Sequence, residues 1–190
     1  MIETQSSQLL PSLFEYVDED RRLTVLHLGP AMPETMDFFS RYRIKLHIVD
    51  LFDDLPLEDD IESDVPPARR LEALLELPAD ARFDLCLFWD LFNFLDGPAI
   101  GALQQVLRPH LHPATQGHGF TSHSSRVRPA DRTYAIRHVN ELAVRPLATE
   151  RPGYVAQGQG PLKARLDQFV FGRTVLLPDK RLEFLLGVKR

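Results

Sequence analysis

The sequence predicts an α/β fold, a mostly parallel sheet with helices on both faces and an antiparallel hairpin at its carboxyl end. Three observations carry the prediction. The stretch Leu23 to Asp50 reads as a buried strand, a turn at Gly29, a helix opened by Pro33 and a second buried strand closed by an acid. The run Ala81 to Asp90, ARFDLCLFWD, repeats that strand pattern, with apolar residues in unbroken succession as in strands covered on both faces. Near the end, two strand-like runs, Phe169 to Leu177 and Arg181 to Val188, flank the turn residues Pro178, Asp179 and Lys180.

Taken in order, residues 1–20 form a helical extension. Leu9, Leu10, Leu13, Phe14 and Val17 recur at helical spacing, and Pro11 falls in the first turn, where it is tolerated. Asp18 to Arg22 links it to the first strand, in which Val25, Leu26 and Leu28 are apolar and His27 lies near the exit. Pro33 fits the first helical position and Glu34 complements the helix dipole, with Met36, Phe38 and Phe39 turned to the core. Ile44 to Val49 is the second strand, ending on Asp50, 21 residues after Gly29. That separation lets an acid on the second strand reach the ribose of a nucleotide held at the first turn, although strand ends also carry Asp simply because it favours turns.

The segment Asp53 to Asp64 is acidic and reads as a solvated loop, since it lacks the glycine and terminal glutamate of a calcium loop. Pro66 and Pro67 open a helix stopped by Pro78. Leu91 to Leu111 is helical with a break at Gly97-Pro98, and Gly117 to Ser122 is a weaker strand around Phe120. Asp131 to Val144 reads as a helix whose apolar side is Tyr134, Ile136, Val139, Leu142 and Ala143. Tyr154 to Gly160 is flexible by composition, and a helical turn is expected around Leu162 to Leu166.

Composition bounds the function. With 190 residues, 44% hydrophobic and 26% charged, the chain supplies one well-buried core, so residues 1–190 are expected to form a single domain. A net charge of -5 gives no general drive toward nucleic acid or an anionic membrane. The lone Cys86 sits in an apolar run and cannot form an internal disulfide, which suits a reducing cytoplasm. No signal peptide and no membrane-spanning run is read, so the expected location is cytoplasmic.

This succession of elements resembles the class I S-adenosylmethionine-dependent methyltransferases over roughly residues 20 to 190. The resemblance implies a Rossmann-like three-layer sandwich with S-adenosylmethionine as cofactor. The family's Glu/Asp-x-Gly-x-Gly-x-Gly turn aligns with His27-Leu28-Gly29-Pro30-Ala31-Met32-Pro33, so His27 replaces the acid and Ala31 the second glycine. Glycine there lets the backbone approach the ligand closely, and Pro30 and Pro33 also lack amide donors. A degenerate cofactor loop is the expectation. By resemblance Gly29, Ala31, Asp50 and Trp89 would contact the cofactor, with Asp50 on its ribose and Trp89, Asp90 and Asn93 lining the mouth of the cleft. About thirty residues separate Asp50 from Phe83, enough for a loop and one helix but barely for the family's extra helix and edge strand.

Other constellations are weaker. His110, His112, His118, His123 and His138 fall close together in sequence, yet no cysteine joins them, and scattered histidines rather than a zinc site are expected. Arg126, Arg128, Arg132, Arg137, Arg145 and Arg151 form a basic stretch that either binds an anionic substrate or acidic partner or is a solvated face. Ser122, Ser124 and Ser125 beside His123 lack the Gly-x-Ser-x-Gly elbow of a hydrolase.

Two functional classes follow. The preferred one is a methyltransferase-fold protein that has lost cofactor binding and serves as a binding or regulatory module, through a protein partner or a homo-oligomeric interface. The alternative is an active methyltransferase holding S-adenosylmethionine with Asp50 and the backbone at Gly29, with Asp90 or His123 as base. An open cleft at the strand ends favours the enzyme, whereas a cleft filled by Met32, Trp89 or Tyr154 to Gly160 favours the module.

Overall fold

The computed structural model describes residues 1–15, 21–57, 65–123 and 128–190. In chain order it contains strand β1 (Glu3–Ser6), helix α1 (Leu10–Phe14), strand β2 (Leu23–Leu28), helix α2 (Pro33–Phe39) and strand β3 (Ile44–Val49). Helix α3 (Pro67–Leu75), strand β4 (Leu85–Trp89), helix α4 (Gly97–Leu107) and strand β5 (Gln116–Ser122) follow. The rest is a hairpin of β6 (Arg132–His138) and β7 (Glu141–Pro146), helix α5 (Gln159–Arg165), and a second hairpin of β8 (Phe169–Leu176) and β9 (Arg181–Val188).

Six strands form one sheet in the order β3-β2-β4-β5-β9-β8. The first four are parallel, and β9 and β8 are antiparallel to their neighbours, as the terminal turn at Pro178-Asp179 predicts. Side-chain alternation splits the core between the two faces. Leu26 and Leu28 of β2 and Cys86 and Phe88 of β4 pack under α3, α4 and α5. Val25, Leu85, Leu87 and Trp89 face the other way, against α1, α2 and the small sheet. Local chemistry sets the helix starts: Pro33 occupies the first turn of α2, and Asp96 caps α4 by accepting the Ala99 N–H at 2.8 Å. The break at Gly97-Pro98 is the start of α4, after a 3-10 turn over Leu91–Phe94.

The second sheet, β1-β7-β6, corrects the sequence reading. Asp131 to Val144 is not a helix but an antiparallel hairpin with a two-residue link at Val139 and Asn140. Tyr134 and Ile136 alternate with Thr133, Ala135 and Arg137, so period two governs, and backbone pairing with β1 completes the sheet. The N-terminal extension likewise holds a strand before its helix; Glu3–Ser6 is polar throughout and shows itself only through its partner β7. On α2, Met36 is exposed rather than turned to the core, which Thr35, Phe38 and Phe39 face.

Among the described residues, a 3-10 turn at Phe52–Asp54 and helix α3 lie between β3 and β4 and no strand does, so within them β3 is an edge of the large sheet. No helix of the described residues is long and apolar enough to cross a membrane.

Candidate functional site

Strands β3, β2, β4 and β5 point their carboxyl ends to one edge, and strand order reverses between β2 and β4. In open parallel sheets such a reversal leaves a crevice where ligands bind. Gly29 leaves β2 at this point. A Cβ placed on Gly29 would lie 3.4 Å from Trp89 Cδ1 and 3.5 Å from His27 Nε2, so side chains of β4 and β2 occupy the space beside it.

Trp89 is 1% exposed. Its indole stacks on Tyr134 at 5.3 Å between centroids and 6° between planes, and Phe120 continues the stack at 6.5 Å. The indole N–H donates to His27 Nδ1 at 3.4 Å, while His27 Nε2 lies 3.2 Å from the Pro30 carbonyl. A carbonyl only accepts, so Nε2 is assigned the proton and Nδ1 receives the indole. His27 is therefore held neutral, and burial pushes its pKa down to about 4 against the opposing pull of the Pro30 carbonyl. The β4 backbone bends to present this ring. Its pairing with β5 shifts between Leu87 and Trp89, and Trp89 has φ +51°, a left-handed conformation that costs a non-glycine residue about 1–3 kcal/mol.

The neighbouring acids are differently placed. Asp50, at the end of β3, is exposed, and its Oδ1 accepts the Phe52 N–H at 3.1 Å, the local turn geometry expected of Asp at a strand end. Asp90 follows Trp89 and is 8% exposed, with a buried Oδ1 that has no hydrogen-bond partner. Burial raises its pKa to about 6, opposed by Arg151 and Arg181. Ala31 is exposed beside the crevice, and His123 is exposed beyond β5, its N–H donating to the Lys180 carbonyl at 3.1 Å. The structure thus brings Gly29, Trp89 and Asp90 to one crevice and leaves His123 on the surface.

Residues 147–158, between β7 and α5, cross these strand ends as a strap. Val155 N–H donates to the Asn93 carbonyl at 2.7 Å, and the Gln157 side chain donates to the Leu95 carbonyl at 2.9 Å. The Thr121 hydroxyl donates to the Gln157 carbonyl. Arg151 lies with its guanidinium 3.9 Å over the Phe52 ring, within electrostatic reach of Asp50 and Asp90. The space left beneath the strap, among Asp90, Asn93, Tyr134, Tyr154 and Arg181, is about 10 Å³, room for a single water. Sequence reasoning missed Tyr134 and Arg181 here. Period-two alternation was the available signal for Tyr134; Arg181, donating to the Tyr134 hydroxyl at 2.5 Å, carried none.

The other candidates are spent on structure. His118 and Glu183 pair at 2.8 Å with side chains wholly buried, and Glu183 also accepts the Ser7 hydroxyl and the Gln8 N–H. His110 Nδ1 lies 3.0 Å from the Ala81 carbonyl, and His112 is 3.3 Å from Asp84. Among the described residues no three His, Cys, Asp or Glu side chains converge on a point that could hold a metal. The arginine stretch is internally neutralised rather than a free basic face: Arg128 pairs with Asp131, Arg132 with Asp179, Arg137 with Glu141 and Arg145 with Glu34. Arg126, Ser124, Ser125 and the acidic run from Glu58 to Asp64 lie outside the described residues.

No protein-family model and no curated protein matches the sequence. Solved structures do match. The 1,6-didemethyltoxoflavin-N1-methyltransferase of Burkholderia thailandensis, solved with 1,6-didemethyltoxoflavin and S-adenosylhomocysteine, aligns over 96% of this chain and 78% of its own. The TM-score is 0.52 and the identity 15%. The PH0226 protein of Pyrococcus horikoshii OT3 gives a TM-score of 0.55 at 17% identity, over 95% of this chain and 88% of its own. The glycopeptide N-methyltransferase MtfA, solved with S-adenosyl-L-homocysteine, gives 0.51 at 10% identity, over 96% and 91%. Together with the strand order and the terminal hairpin, these likenesses show that the chain has the fold of the class I S-adenosylmethionine-dependent methyltransferases.

Proposed function

We propose that this protein is a non-catalytic member of its fold, a binding or regulatory module whose cofactor crevice is closed by its own side chains. One observation carries the reading. The Trp89 indole lies against Gly29, stacked on Tyr134 and hydrogen-bonded to His27, where a cofactor's amino-acid portion would run along the first turn. These residues argue against S-adenosylmethionine binding there, because a ligand running along that turn would part the stack and leave the buried His27 without its donor. The degenerate loop agrees, with Pro30 and Pro33 removing amides and Ala31 replacing glycine. The strap points the same way, since its Gln157 and Val155 satisfy groups at the strand ends that an open site would leave to ligand and water.

Calorimetric titration with S-adenosylmethionine, with Asp50→Ala alongside, tests the reading. No heat of binding at millimolar ligand is expected for either protein. Micromolar binding that Asp50→Ala abolishes would overturn it and restore the second reading, an active methyltransferase. That second reading has its own support in Asp90, a buried carboxyl with a free oxygen and a pKa raised to about 6, suited to proton transfer near neutral pH.

A further inference from the structure

We propose that the edge strand β3 pairs antiparallel with β3 of a second copy of this chain across a two-fold axis, joining the two large sheets. Two hydrogen bonds fix which backbone groups of β3 face away from β2. Leu23 N–H donates to the Arg43 carbonyl at 2.9 Å, and Gly29 N–H to the Val49 carbonyl at 2.8 Å. The N–H and C=O of one strand residue point the same way, and the direction alternates along the strand. The groups of Arg43, Lys45, His47 and Val49 therefore face β2, and those of Ile44, Leu46 and Ile48 face outward.

An outward row of donors and acceptors is a template for another strand, and natural edges are blunted by proline, bulges or irregular register. The opposite edge of this sheet is blunted: β8 shifts register between Phe171 and Thr174, around Gly172 and Arg173. In contrast, β3 keeps unbroken register with β2 over six residues, contains neither proline nor glycine, and leaves Ile44, Leu46 and Ile48 half-buried.

Charge selects the occupant and its direction. The approach to β3 is basic, with Arg41, Arg43 and Lys45 exposed, and its exit is acidic, with Asp50, Asp53 and Asp54 exposed. A parallel copy would set like charges side by side. An antiparallel copy on a two-fold axis lays each basic start against the partner's acidic end, so the surface is complementary to itself. The lysine that protects an edge against indiscriminate pairing here favours one partner in one orientation. The pairing is independent of whether the crevice admits a cofactor.

Sedimentation equilibrium of the full chain tests this with a charge exchange. The wild type is expected to be a dimer in the micromolar range. Arg41→Glu/Lys45→Glu and Asp53→Lys/Asp54→Lys, each alone, are expected to weaken self-association roughly tenfold or more by opposing like charges. An equimolar mixture of the two restores the dimer, because each acidic start then meets a basic end. Leu46→Pro removes an outward amide without breaking a bond to β2, so it should keep the wild-type circular dichroism and sediment as a monomer. A wild type that stays monomeric overturns the proposal. So do charge variants that dimerise as the wild type does, or a mixture that fails to recover.

Discussion

The indole N–H of Trp89 is donated to Nδ1 of His27 across the switch point of the sheet, at 3.4 Å, and the same imidazole is tied through Nε2 to the Pro30 carbonyl. A residue at the end of β4 thereby holds the first turn after β2. The His27 position, where the family pattern has an acid, is spent on orienting a tryptophan. The left-handed backbone at Trp89 is kept in place by that hydrogen bond and by the stack on Tyr134.

Trp89→Ala should cost about 3–5 kcal/mol of stability, because it empties the centre of a four-residue contact and leaves the buried His27 Nδ1 unpaired. Trp89→Phe keeps the stack but not the donor and should cost clearly less. Urea unfolding of both variants measures the difference. Equal losses would mean that the hydrogen bond contributes most and the stack little.

Acid stability contains two opposing parts. His27 binds a proton less readily folded than unfolded, about 4 against an ordinary 6.5, so its contribution is intact above 6.5 and lost as pH falls toward 4. Asp90 has the opposite sign, about 6 against 3.8, so the folded state is penalised as pH rises through that window. The two offset each other in the wild type between roughly pH 4 and 6. Asp90→Asn removes one of them. It should be more stable than wild type at pH 7 by about 1–3 kcal/mol, and should lose up to about 3 kcal/mol on acidification from pH 6.5 to 4. Urea midpoints across that range read both effects, and an unchanged profile in Asp90→Asn would remove Asp90 from the balance.

Glu183→Ala should cost about 3–5 kcal/mol, since it leaves His118 unpaired in the core and strips the Ser7 hydroxyl and Gln8 amide of their acceptor. Burial alone would raise the Glu183 pKa; the hydrogen bond from His118 leads the contacts that hold it below the carboxylate range. Because the lost contacts anchor the N-terminal segment, limited proteolysis of the variant should cut within the first fifteen residues before the remainder unfolds. Uniform resistance there would assign the anchoring to β1 pairing instead.

Two glycines make a contrasting pair. A Cβ at Gly119 would meet the Trp89 carbonyl oxygen and Phe184 Cζ, each at 2.8 Å, so Gly119→Ala should lose about 1–3 kcal/mol. Gly101, inside α4 with open space around it, should gain about 0.5–1 kcal/mol on change to Ala. Denaturant midpoints of the two variants decide the matter, and a stable Gly119→Ala would show that β4 and β5 can separate at the bulge.

Much of the large sheet was legible because its central strands are apolar on both faces and α2, α3 and α4 begin at proline or behind an aspartate. The run from Leu23 to Val49 and the hairpin around Pro178 carry those signals in adjacent residues. The β6–β7 hairpin was not legible: Tyr134, Ile136, Leu142 and Ala143 satisfy a helical spacing about as well as an alternating one, and the backbone pairing with β1 decides between them. At the site, Gly29, Asp50, Trp89 and Asp90 were located at the strand ends from position alone. The direction of the Trp89 ring was not, because it depends on a bulge against β5 and on a tyrosine 45 positions away, neither of which leaves a local mark.

Trp89 is the one tryptophan in the chain, and it sits in the wall of the crevice rather than elsewhere in the core. Intrinsic emission is thus a single-site optical signal for the state of that wall. While the ring stays stacked on Tyr134 and shielded from water, emission should remain at short wavelength. Any event that parts the ring from Tyr134 and lets water reach it, whether partner docking, ligand entry or local unfolding, should shift it to the red without a label being added.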